Sequence, residues 1–332
     1  MIIDFVVTWV DGNDPAWRKQ KNEYSPRKDG EAENCRYRDM DIFRYWFRAV
    51  EAYAPWVNKV HFVTWGHLPK WLNVNHPKLN IVKHEDFMPE EYRPTFNSRP
   101  IELNVHRIEG LSEHFVSFND DTLINGPVKP EFFFKKGLPC DFINIDGIYV
   151  TDPRETYAHS RVNNTWILNN HFSYIKSFLK HPLKYVNFKY PFKYVVKNVV
   201  KLENVNTFPG FREHHMPLSY LKSTFTEGWA QDGELLDYTC KNRFRTAFDL
   251  SHLLFRYRQL AQGKFHPVRP SSKGKYYSLS NDNRALVDEI INGKHKMICI
   301  NDTPKDIDFE KAVKEVVAAY ETKLPDKSEF EV

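Results

Sequence analysis

The first 120 residues alternate runs of β-branched and aromatic residues with segments in which apolar residues recur every three or four positions. The runs are typical of buried strands, and the spacing is typical of amphipathic helices. In the order strand, helix, strand, strand, helix, strand, they predict an α/β fold with a largely parallel sheet. The predicted strands are residues 2–10, 59–64, 79–83 and 114–118, and the predicted helices are residues 39–53, with Asp39 as N-cap, and residues 99–107, with Ser98 as N-cap.

The last part of the chain shows the same alternation. Residues 284–291 are predicted to form a helix, residues 296–300 a strand, and residues 309–324 a terminal amphipathic helix. No internal repeat interrupts the pattern. We therefore expect residues 1–332 to form a single domain.

Polar residues gather where the predicted strands end. They occupy residues 8–14 after the first strand, residues 64–67 after the second, and residues 119–121 after the fourth. Ligands of open α/β sheets bind outside the carboxyl ends of the strands. The sequence therefore predicts a binding site at this edge of the sheet.

Residues 155–205 are expected to form a basic helical insertion, broken near Pro191. Positions 156–202 contain no acid, and lysines recur every four or five residues between aromatic and aliphatic ones. Segments of this kind commonly lie on anionic membrane surfaces. The alternative is a solvated basic face on an ordinary insertion. The lysines are Lys176, Lys180, Lys184, Lys189, Lys193, Lys197 and Lys201.

Composition adds a few limits. With 41% hydrophobic and 27% charged residues, the chain of 332 residues is typical of a soluble globular protein, and its net charge of +4 indicates little. The four cysteines have no metal-type spacing, so we expect reduced thiols in a reducing compartment. The first residues do not resemble a signal peptide, and no run of 18 apolar residues exists. These features predict a cytoplasmic protein or one on the cytosolic side of a membrane.

Several residues are candidates for chemistry, although the common dinucleotide, P-loop, serine-hydrolase and zincin motifs are absent. Asp120 and Asp121 can hold a divalent ion, and that ion a diphosphate, but two aspartates are also common in turns. His214 and His215 offer a general base near neutral pH, or are ordinary surface histidines. Arg245 is one of several arginines that can pair with phosphate oxygens.

Four blocks of the sequence resemble, in order, the Stealth proteins. These are bacterial capsule and exopolysaccharide sugar-phosphate transferases, related to the animal GlcNAc-1-phosphotransferase that tags lysosomal enzymes. Together the blocks span most of the chain, and only residues 155–205 have no counterpart among the family's motifs. The blocks are IDFVVTWVDGNDPAW at 3–17, the segment from RYRDMDIF at 36 through PTFNSRPIELNVHRIEGLSEHFVSFNDD to 121, HHMP at 214–217 with NRFR after it, and CINDT at 299–303.

The resemblance implies a Rossmann-like nucleotide-sugar transferase core in a single catalytic domain. It also implies transfer of a hexose 1-phosphate, such as GlcNAc 1-phosphate, from a UDP-sugar to a glycan hydroxyl. The products are a phosphodiester and UMP, in capsular or exopolysaccharide biosynthesis. Carried over by position, the catalytic residues are Glu102, Asp121, His215 and Arg245.

Attack at phosphorus needs a base for the acceptor hydroxyl and cations for the phosphate oxygens. Either His215 or Asp121 is the base, Arg245 stabilises the transferred phosphoryl group, and Asp120 and Asp121 hold a Mg²⁺ or Mn²⁺ ion. The expected substrate-binding residues are Thr8, Trp9, Val10, Asp11, Gly12, Arg38, Asp39, Arg44, Asn97, Arg107, Asn119, Asn301 and Asp302.

Two other functions compete with this one. A metal-dependent glycosyltransferase would use the same UDP-sugar but attack the anomeric carbon and release UDP. A non-enzymatic module would bind acidic lipid or nucleic acid through residues 161–201, but no nucleic-acid-binding motif accompanies them. The expected partners are therefore a UDP-sugar, a lipid-linked or polymeric glycan and, through Lys176–Lys201, the anionic inner face of a membrane, without nucleic acid.

Overall fold

The computed structural model describes residues 1–25, 37–152, 154–200, 206–302 and 307–332. It confirms the predicted α/β class with a mostly parallel central sheet. The strands in these ranges are β1 (Ile3–Trp9), β2 (Val60–Thr64), β3 (Leu79–Lys83), β4 (His114–Asn119), β5 (Thr122–Ile124), β6 (Phe134–Lys135), β7 (Leu138–Asp141), β8 (Leu218–Leu221), β9 (His266–Pro267), β10 (Lys275–Ser278) and β11 (Met297–Asn301).

Helices cover the sheet and form the insertion. Short 3-10 turns follow some of them, as at Val105–Arg107. The α-helices are α1 (Pro15–Tyr24), α2 (Phe43–Tyr53), α3 (His84–Phe87), α4 (Ser98–Asn104), α5 (Thr156–His171), α6 (Tyr174–Lys180), α7 (Pro182–Tyr185), α8 (Phe192–Val200), α9 (Lys222–Cys240), α10 (Leu253–Ala261), α11 (Arg284–Asn292) and α12 (Phe309–Lys323).

The central sheet has the strand order β3-β2-β1-β4-β8. The first four strands are parallel, and β8 is antiparallel to β4. A second sheet has the order β10-β11-β5, and its strand β5 begins only three residues after the end of β4. This connection places the end of β11 beside the carboxyl end of β4.

Both faces of the central sheet are buried. Ile3, Phe5 and Val7 contribute to one hydrophobic cluster and Val6 to the other. Successive side chains of a strand point to opposite faces, so a parallel strand covered on both sides reads as a continuous apolar run. The apolar run at residues 2–10 predicted β1 for this reason.

The two predicted N-caps are wrong. Helix α2 begins at Phe43 after Ile42, and the Asp39 carboxylate instead accepts a hydrogen bond from the backbone N–H of Asp41. Helix α4 begins at Ser98 because the side chain of Asn97 accepts from the backbone N–H of Arg99. Both Asp and Asn form such local bonds readily, and their position relative to the first turn decides whether they cap a helix.

The insertion contains four helices, one of 16 residues and three of 4 to 9 residues, rather than two helical pieces, and its described lysines form no continuous stripe. Lys184 donates to the carbonyls of Gly263 and Phe265, Lys189 donates to that of Pro267, and Lys197 pairs with Asp146 at 2.9 Å. Tyr174, Tyr185 and Tyr190 are buried. The contacts of the three lysines and the burial of the three tyrosines attach the insertion to the rest of the protein. Lys201 lies outside the described residues.

Cys140, Cys240 and Cys299 are buried free thiols, as expected, while Cys35 lies outside the described residues. In the ranges described here, no helix is long and apolar enough to cross a membrane.

Asp4 is a buried carboxylate in β1. Its carboxylate accepts hydrogen bonds from Asn58 at 2.8 Å and from the backbone N–H of Ser112 at 2.8 Å, and His61 lies at 3.3 Å. Burial opposes ionisation, but the hydrogen bonds of His61, Asn58 and Ser112 lower the pKa of Asp4 to about 2. Its ionised form therefore stabilises the fold above pH ~4, and this stabilisation is lost as the pH falls towards 2.

Replacing Asp4 with asparagine should remove this contribution, which is about 2 kcal/mol of unfolding free energy at neutral pH. As the pH falls, the carboxyl group of Asp4 is protonated in the unfolded state before it is protonated in the folded state. The difference in unfolding free energy between wild type and Asp4→Asn should therefore shrink by about 1 kcal/mol between pH 5 and pH 3. Urea unfolding of both proteins at several pH values measures this difference in unfolding free energy. A difference that does not depend on pH would contradict the assignment.

Candidate active site

The polar segments that follow β1 and β4 lie at the same edge of the sheet, as the sequence predicts. In the register of these two strands, Thr8 lies opposite Asn119. The loop after β1 and the turn after β4 therefore start side by side. Asp11, Asp39, Asp120 and Asp121 collect there, and burial together with the neighbouring negative charges raises the pKa of Asp39 and of Asp120.

Two contacts fix the loop Thr8–Gly12 on the rest of the protein. Trp9 stacks on Phe43, with ring centroids 5.7 Å apart, and the backbone N–H of Asp11 donates to His67 Nε2 at 2.8 Å. A Cβ atom on Gly12 would collide with the backbone carbonyl of Tyr37. The loop thus needs glycine at position 12, while Val10 and Asp11 remain partly exposed.

The turn Asn119–Asp121 holds two carboxylates in different surroundings. Burial, together with the charges of Asp121 and Asp39, raises the pKa of Asp120 to about 7. The backbone carbonyl of Asp121 accepts from the N–H of Ile300 in β11 at 2.9 Å. This bond connects the turn to the second sheet.

Asp121 forms a pair with His215. Its Oδ2 atom lies 3.3 Å from His215 Nε2, and the side chains are 17% and 43% exposed, respectively. Burial alone would lower the pKa of His215, but the hydrogen bond and charge of Asp121 and the charge of Glu102 raise it. The Asn119 amide nitrogen lies 3.5 Å from the same histidine nitrogen. An exposed histidine beside a carboxylate is suited to proton transfer.

A buried thiol completes the surroundings of Asp121. Burial and the charge of Asp121 raise the pKa of Cys299, which therefore stays protonated and lies with Sγ 3.5 Å from Asp121 Oδ2. The other oxygen, Oδ1, is buried and has no hydrogen-bond partner within the described ranges. Asp121 thus keeps one carboxylate oxygen for a group outside the protein.

A cavity of about 160 Å³, which we call the catalytic pocket, brings His215 together with Glu102 and Arg245. Arg245 donates through Nη2 to Ser98 Oγ at 3.0 Å. Glu102 lies 4.0 Å from His252 Nε2, and both side chains are mostly buried. The four residues expected to be catalytic therefore lie at one place, since Asp121 contacts His215 directly.

The residues present fit a divalent cation in part. Asp121, His215 and Cys299 offer ligand atoms within 4.8 Å of one another, and the unpartnered Oδ1 of Asp121 is a suitable oxygen ligand. A cation would also relieve the repulsion that raises the pKa of Asp120. Mg²⁺ and Mn²⁺ prefer such oxygen ligands, whereas a protonated thiol is a poor one. Asp120 and Asp121 are thus better candidates than Cys299.

Other expected binding residues lie near this edge but pair with protein groups. Arg38 forms a two-bond ion pair with Asp302, at 2.7 and 2.9 Å, which joins the segment before α2 to the end of β11. Asn301 is the last residue of β11. Arg44 lies on α2, with Nη2 3.3 Å from the carboxylate of Asp41.

Asn119 lines the catalytic pocket, whereas two other expected binding residues contact protein groups elsewhere. Asn97 is fully buried, caps α4 and donates to Asp249 at 3.0 Å, so its polar atoms are already used inside the protein. Arg107 is exposed beside α9, with its guanidinium 4.8 Å from the ring centre of Trp229.

Sequence reasoning missed three side chains of the site. His252 lies on the loop before α10, and Cys299 lies inside β11, where a cysteine reads as a core residue. His67 falls in the polar run after β2, but nothing in its local sequence distinguishes it. Only their distances from Glu102, Asp121 and Asp11 identify them, because these contacts join distant parts of the chain.

Two family models match the N-terminal part of the chain. Residues 1–29 match conserved region 1 of the Stealth proteins, and residues 36–140 match conserved region 2. The solved bifunctional glycosyltransferase WbbM covers 97% of this chain, and 52% of its own length, at 9% identity and a TM-score of 0.40, too low to carry an argument.

Three curated relatives extend over almost the whole chain. The capsular polysaccharide phosphotransferase WcwK of Streptococcus pneumoniae is 43% identical, over 99% of this chain and 98% of its own length. The exopolysaccharide phosphotransferase cps2G of Lactiplantibacillus plantarum is 40% identical, over 99% and 96%. The receptor polysaccharide phosphotransferase WefC of Streptococcus gordonii is 38% identical, over 99% of both chains. With this identity over its full length, the chain belongs to the Stealth family.

Proposed function

We propose that this protein is a single-domain sugar-phosphate transferase of capsular or exopolysaccharide biosynthesis. It transfers a hexose 1-phosphate from a UDP-sugar to a hydroxyl of a lipid-linked or polymeric glycan, forms a phosphodiester and releases UMP. The observation that carries the proposal is the pair of Asp121 and the exposed His215 beside Arg245 and Glu102, in a chain 43% identical to a capsular polysaccharide phosphotransferase.

His215 acts as the general base in this proposal. With Nε2–H donating to Asp121, the Nδ1 atom is the nitrogen left to take the proton of the acceptor hydroxyl. The Asp121 carboxylate fixes the ring orientation and stabilises the imidazolium that forms, as carboxylates do in other base–carboxylate pairs. The activated oxygen then attacks the phosphorus that bears the sugar, and the bond from that phosphorus to the oxygen of UMP breaks.

Arg245 is positioned to stabilise charge on the transferred phosphoryl group, because its guanidinium lines the same pocket as His215. The loop Thr8–Gly12 binds the nucleotide sugar. A Mg²⁺ or Mn²⁺ ion held by Asp120 and Asp121 would neutralise charge on the donor diphosphate when bound. Glu102 is a further carboxylate of the pocket and would bind hydroxyls of a sugar.

The nucleotide released in the reaction tests this function. The purified protein is incubated with Mg²⁺, a panel of UDP-hexoses and a glycan acceptor, and the nucleotide products are separated by chromatography. UMP is expected, because attack at phosphorus leaves the sugar phosphate on the acceptor. Release of UDP would mean attack at the anomeric carbon, which is the reaction of a glycosyltransferase, and would overturn the mechanism.

We further propose that the insertion binds the protein peripherally to the anionic inner face of a membrane. Four of its apolar side chains are strongly exposed: Leu179 (70%), Leu183 (78%), Phe188 (89%) and Phe192 (82%). Lys176, Lys180 and Lys193 are also exposed. Apolar side chains that insert and lysines that meet anionic headgroups are what such a surface needs.

Removing two charges and two apolar side chains should test this proposal. The variant Lys176→Gln/Lys180→Gln/Leu179→Ser/Leu183→Ser should bind mixed phosphatidylglycerol–phosphatidylcholine vesicles about 10-fold or more weakly, because each exposed lysine contributes about 1 kcal/mol. Sedimentation with vesicles measures binding. Lys311→Gln/Lys314→Gln on α12 is the matched charge control. Equal binding by variant and wild type would refute a membrane role for α6 and α7.

A further inference from the structure

A second cavity adjoins the catalytic pocket. It measures about 600 Å³, and Glu213 and His214 belong to the walls of both cavities. The proposed mechanism gives no role to the residues that line this second cavity alone. Its wall contains four basic side chains, Lys189, Lys193, Arg212 and Arg269, and four aromatic ones, Phe142, Phe188, Tyr190 and Tyr194. We call it the basic cavity.

The basic cavity has an uncompensated positive charge. Its one acid, among the described residues of its wall, is Glu213, which accepts hydrogen bonds from Arg256 at 3.0 Å and from the hydroxyl of Tyr257. Arg212 and Arg269 are exposed, and their guanidinium groups have no ion-pair or hydrogen-bond partner within the described ranges. Unpaired guanidinium groups at the rim of a cavity are suited to phosphate oxygens.

The aromatic side chains suit a sugar. Phe142 and Tyr194 stack at 6.3 Å between ring centroids, and Phe142 also packs 5.4 Å from the ring of His214. Rings of this kind, with a few polar groups between them, are common in the walls of small-molecule sites. A ligand that combines sugar rings with phosphate matches both halves of this wall.

His214 connects the two cavities. Its side chain is only 12% exposed, and neither ring nitrogen has a hydrogen-bond partner among the described residues, since Asp141 Oδ1 is 3.7 Å away. Burial lowers the pKa of His214 to about 4, so the ring is neutral and carries one donor and one acceptor. An unsatisfied buried polar group is costly, and a ligand hydroxyl between the cavities would satisfy it.

We propose that the basic cavity binds the acceptor of the transfer reaction as a glycan that carries phosphate, and that His214 guides its free hydroxyl towards His215. The proposal rests on the proposed function and names the acceptor class. Arg212 and Arg269 hold the phosphate, and the aromatic side chains hold the sugar rings. Phe188 and Lys193 belong both to this wall and to the membrane-binding insertion, so an acceptor anchored in a membrane reaches the cavity directly.

A binding experiment with defined probes tests the proposal. The probes are octyl diphosphate glucose, glucose 1-phosphate and the neutral octyl glucoside, each titrated calorimetrically with UDP present to fill the donor site. The test variant is Arg212→Gln/Arg269→Gln. The control variant Arg154→Gln/Arg284→Gln removes two charges from side chains that are 87% and 91% exposed. The affinity of each variant for UDP reports whether the donor site is intact.

We expect the phosphate-bearing probes to bind wild type and the control, and the test variant to bind them about 10-fold or more weakly. Binding should also weaken as salt rises. Tighter binding of the octyl diphosphate probe identifies a lipid-linked phosphate as the source, and equal binding of glucose 1-phosphate identifies a phosphate within the glycan.

Equal binding of the neutral glucoside, or unchanged binding by the test variant, would overturn the proposal. So would a parallel loss of UDP affinity in the test variant, because the two arginines would then serve the donor. Failure of the proposed function gives a different result. The reaction then releases UDP instead of UMP, while the test variant still binds the phosphate-bearing probes more weakly than wild type does.

Discussion

Replacing Asp121 with asparagine should lower the turnover number of sugar-phosphate transfer about 10³-fold. The amide keeps the shape of the side chain but removes the charge that orients His215 and stabilises its protonated form. Because Asp121 Oδ2 lies 3.3 Å from His215 Nε2, His215→Ala should have an effect of similar size. Initial rates of UMP release at saturating donor and acceptor measure both variants.

The double variant distinguishes a working pair from two separate contributions. If Asp121 acts through His215, the combined variant should lose about as much turnover as the more impaired single variant, because groups that act as a unit are not additive. Asp288→Asn, an exposed carboxylate on α11, is the matched control and should keep wild-type turnover. Near-normal turnover of both Asp121→Asn and His215→Ala, in folded protein, would show that the pair is not catalytic.

Arg245→Lys should also lower turnover strongly, by about 10³-fold if the guanidinium acts as other arginine clamps do in phosphoryl transfer. Lysine keeps the charge but not the planar fork that binds two phosphate oxygens. The Michaelis constant for the donor should change much less than the turnover number, because the contact strengthens as charge develops in the transition state. Steady-state kinetics with varied UDP-sugar separates the two quantities.

Arg243→Lys is the natural control for this variant. Arg243 lies two residues away on the same loop, but its guanidinium packs 4.8 Å from the ring centre of Tyr24 and is absent from the wall of the catalytic pocket. Its replacement should leave turnover close to wild type. A larger loss in Arg243→Lys than in Arg245→Lys would move the phosphate contact to the other arginine.

The arrangement of charge supports the roles proposed for Asp121 and Arg245. Carboxylates gather at the end of β1 and β4, and repulsion there contributes to the raised pKa of Asp120. Arg245 brings a positive charge to the same pocket as His215. In the proposed mechanism, a donor diphosphate would need a cation beside the carboxylates and the guanidinium of Arg245, since phosphate oxygens and bare carboxylates repel each other.

Hydrophobic periodicity determined most of the secondary structure. It placed β1, β2, β3, β4 and β11 and the helices α2, α4, α11 and α12 to within a few residues, because burying one face or both faces of an element imposes a pattern on its own sequence. The polar runs after the strands likewise predicted which residues meet at one edge of the sheet, because parallel strands end together. Helix ends were less predictable, as Asn97 shows: neighbouring polar residues compete for the same backbone N–H.

The resemblance to a family supplied Glu102, which nothing in its local sequence distinguishes, and it selected Asp121, His215 and Arg245 from the candidates that residue chemistry had offered. Only the tertiary structure decided that these residues share one place, that Lys184, Lys189 and Lys197 bind carbonyl or carboxylate oxygens of the protein, and that a basic cavity lies behind His214. Such facts depend on contacts between residues far apart in the chain. Periodicity records which side of an element is buried, but it does not record which distant side chain lies opposite, and that is settled only when the elements pack.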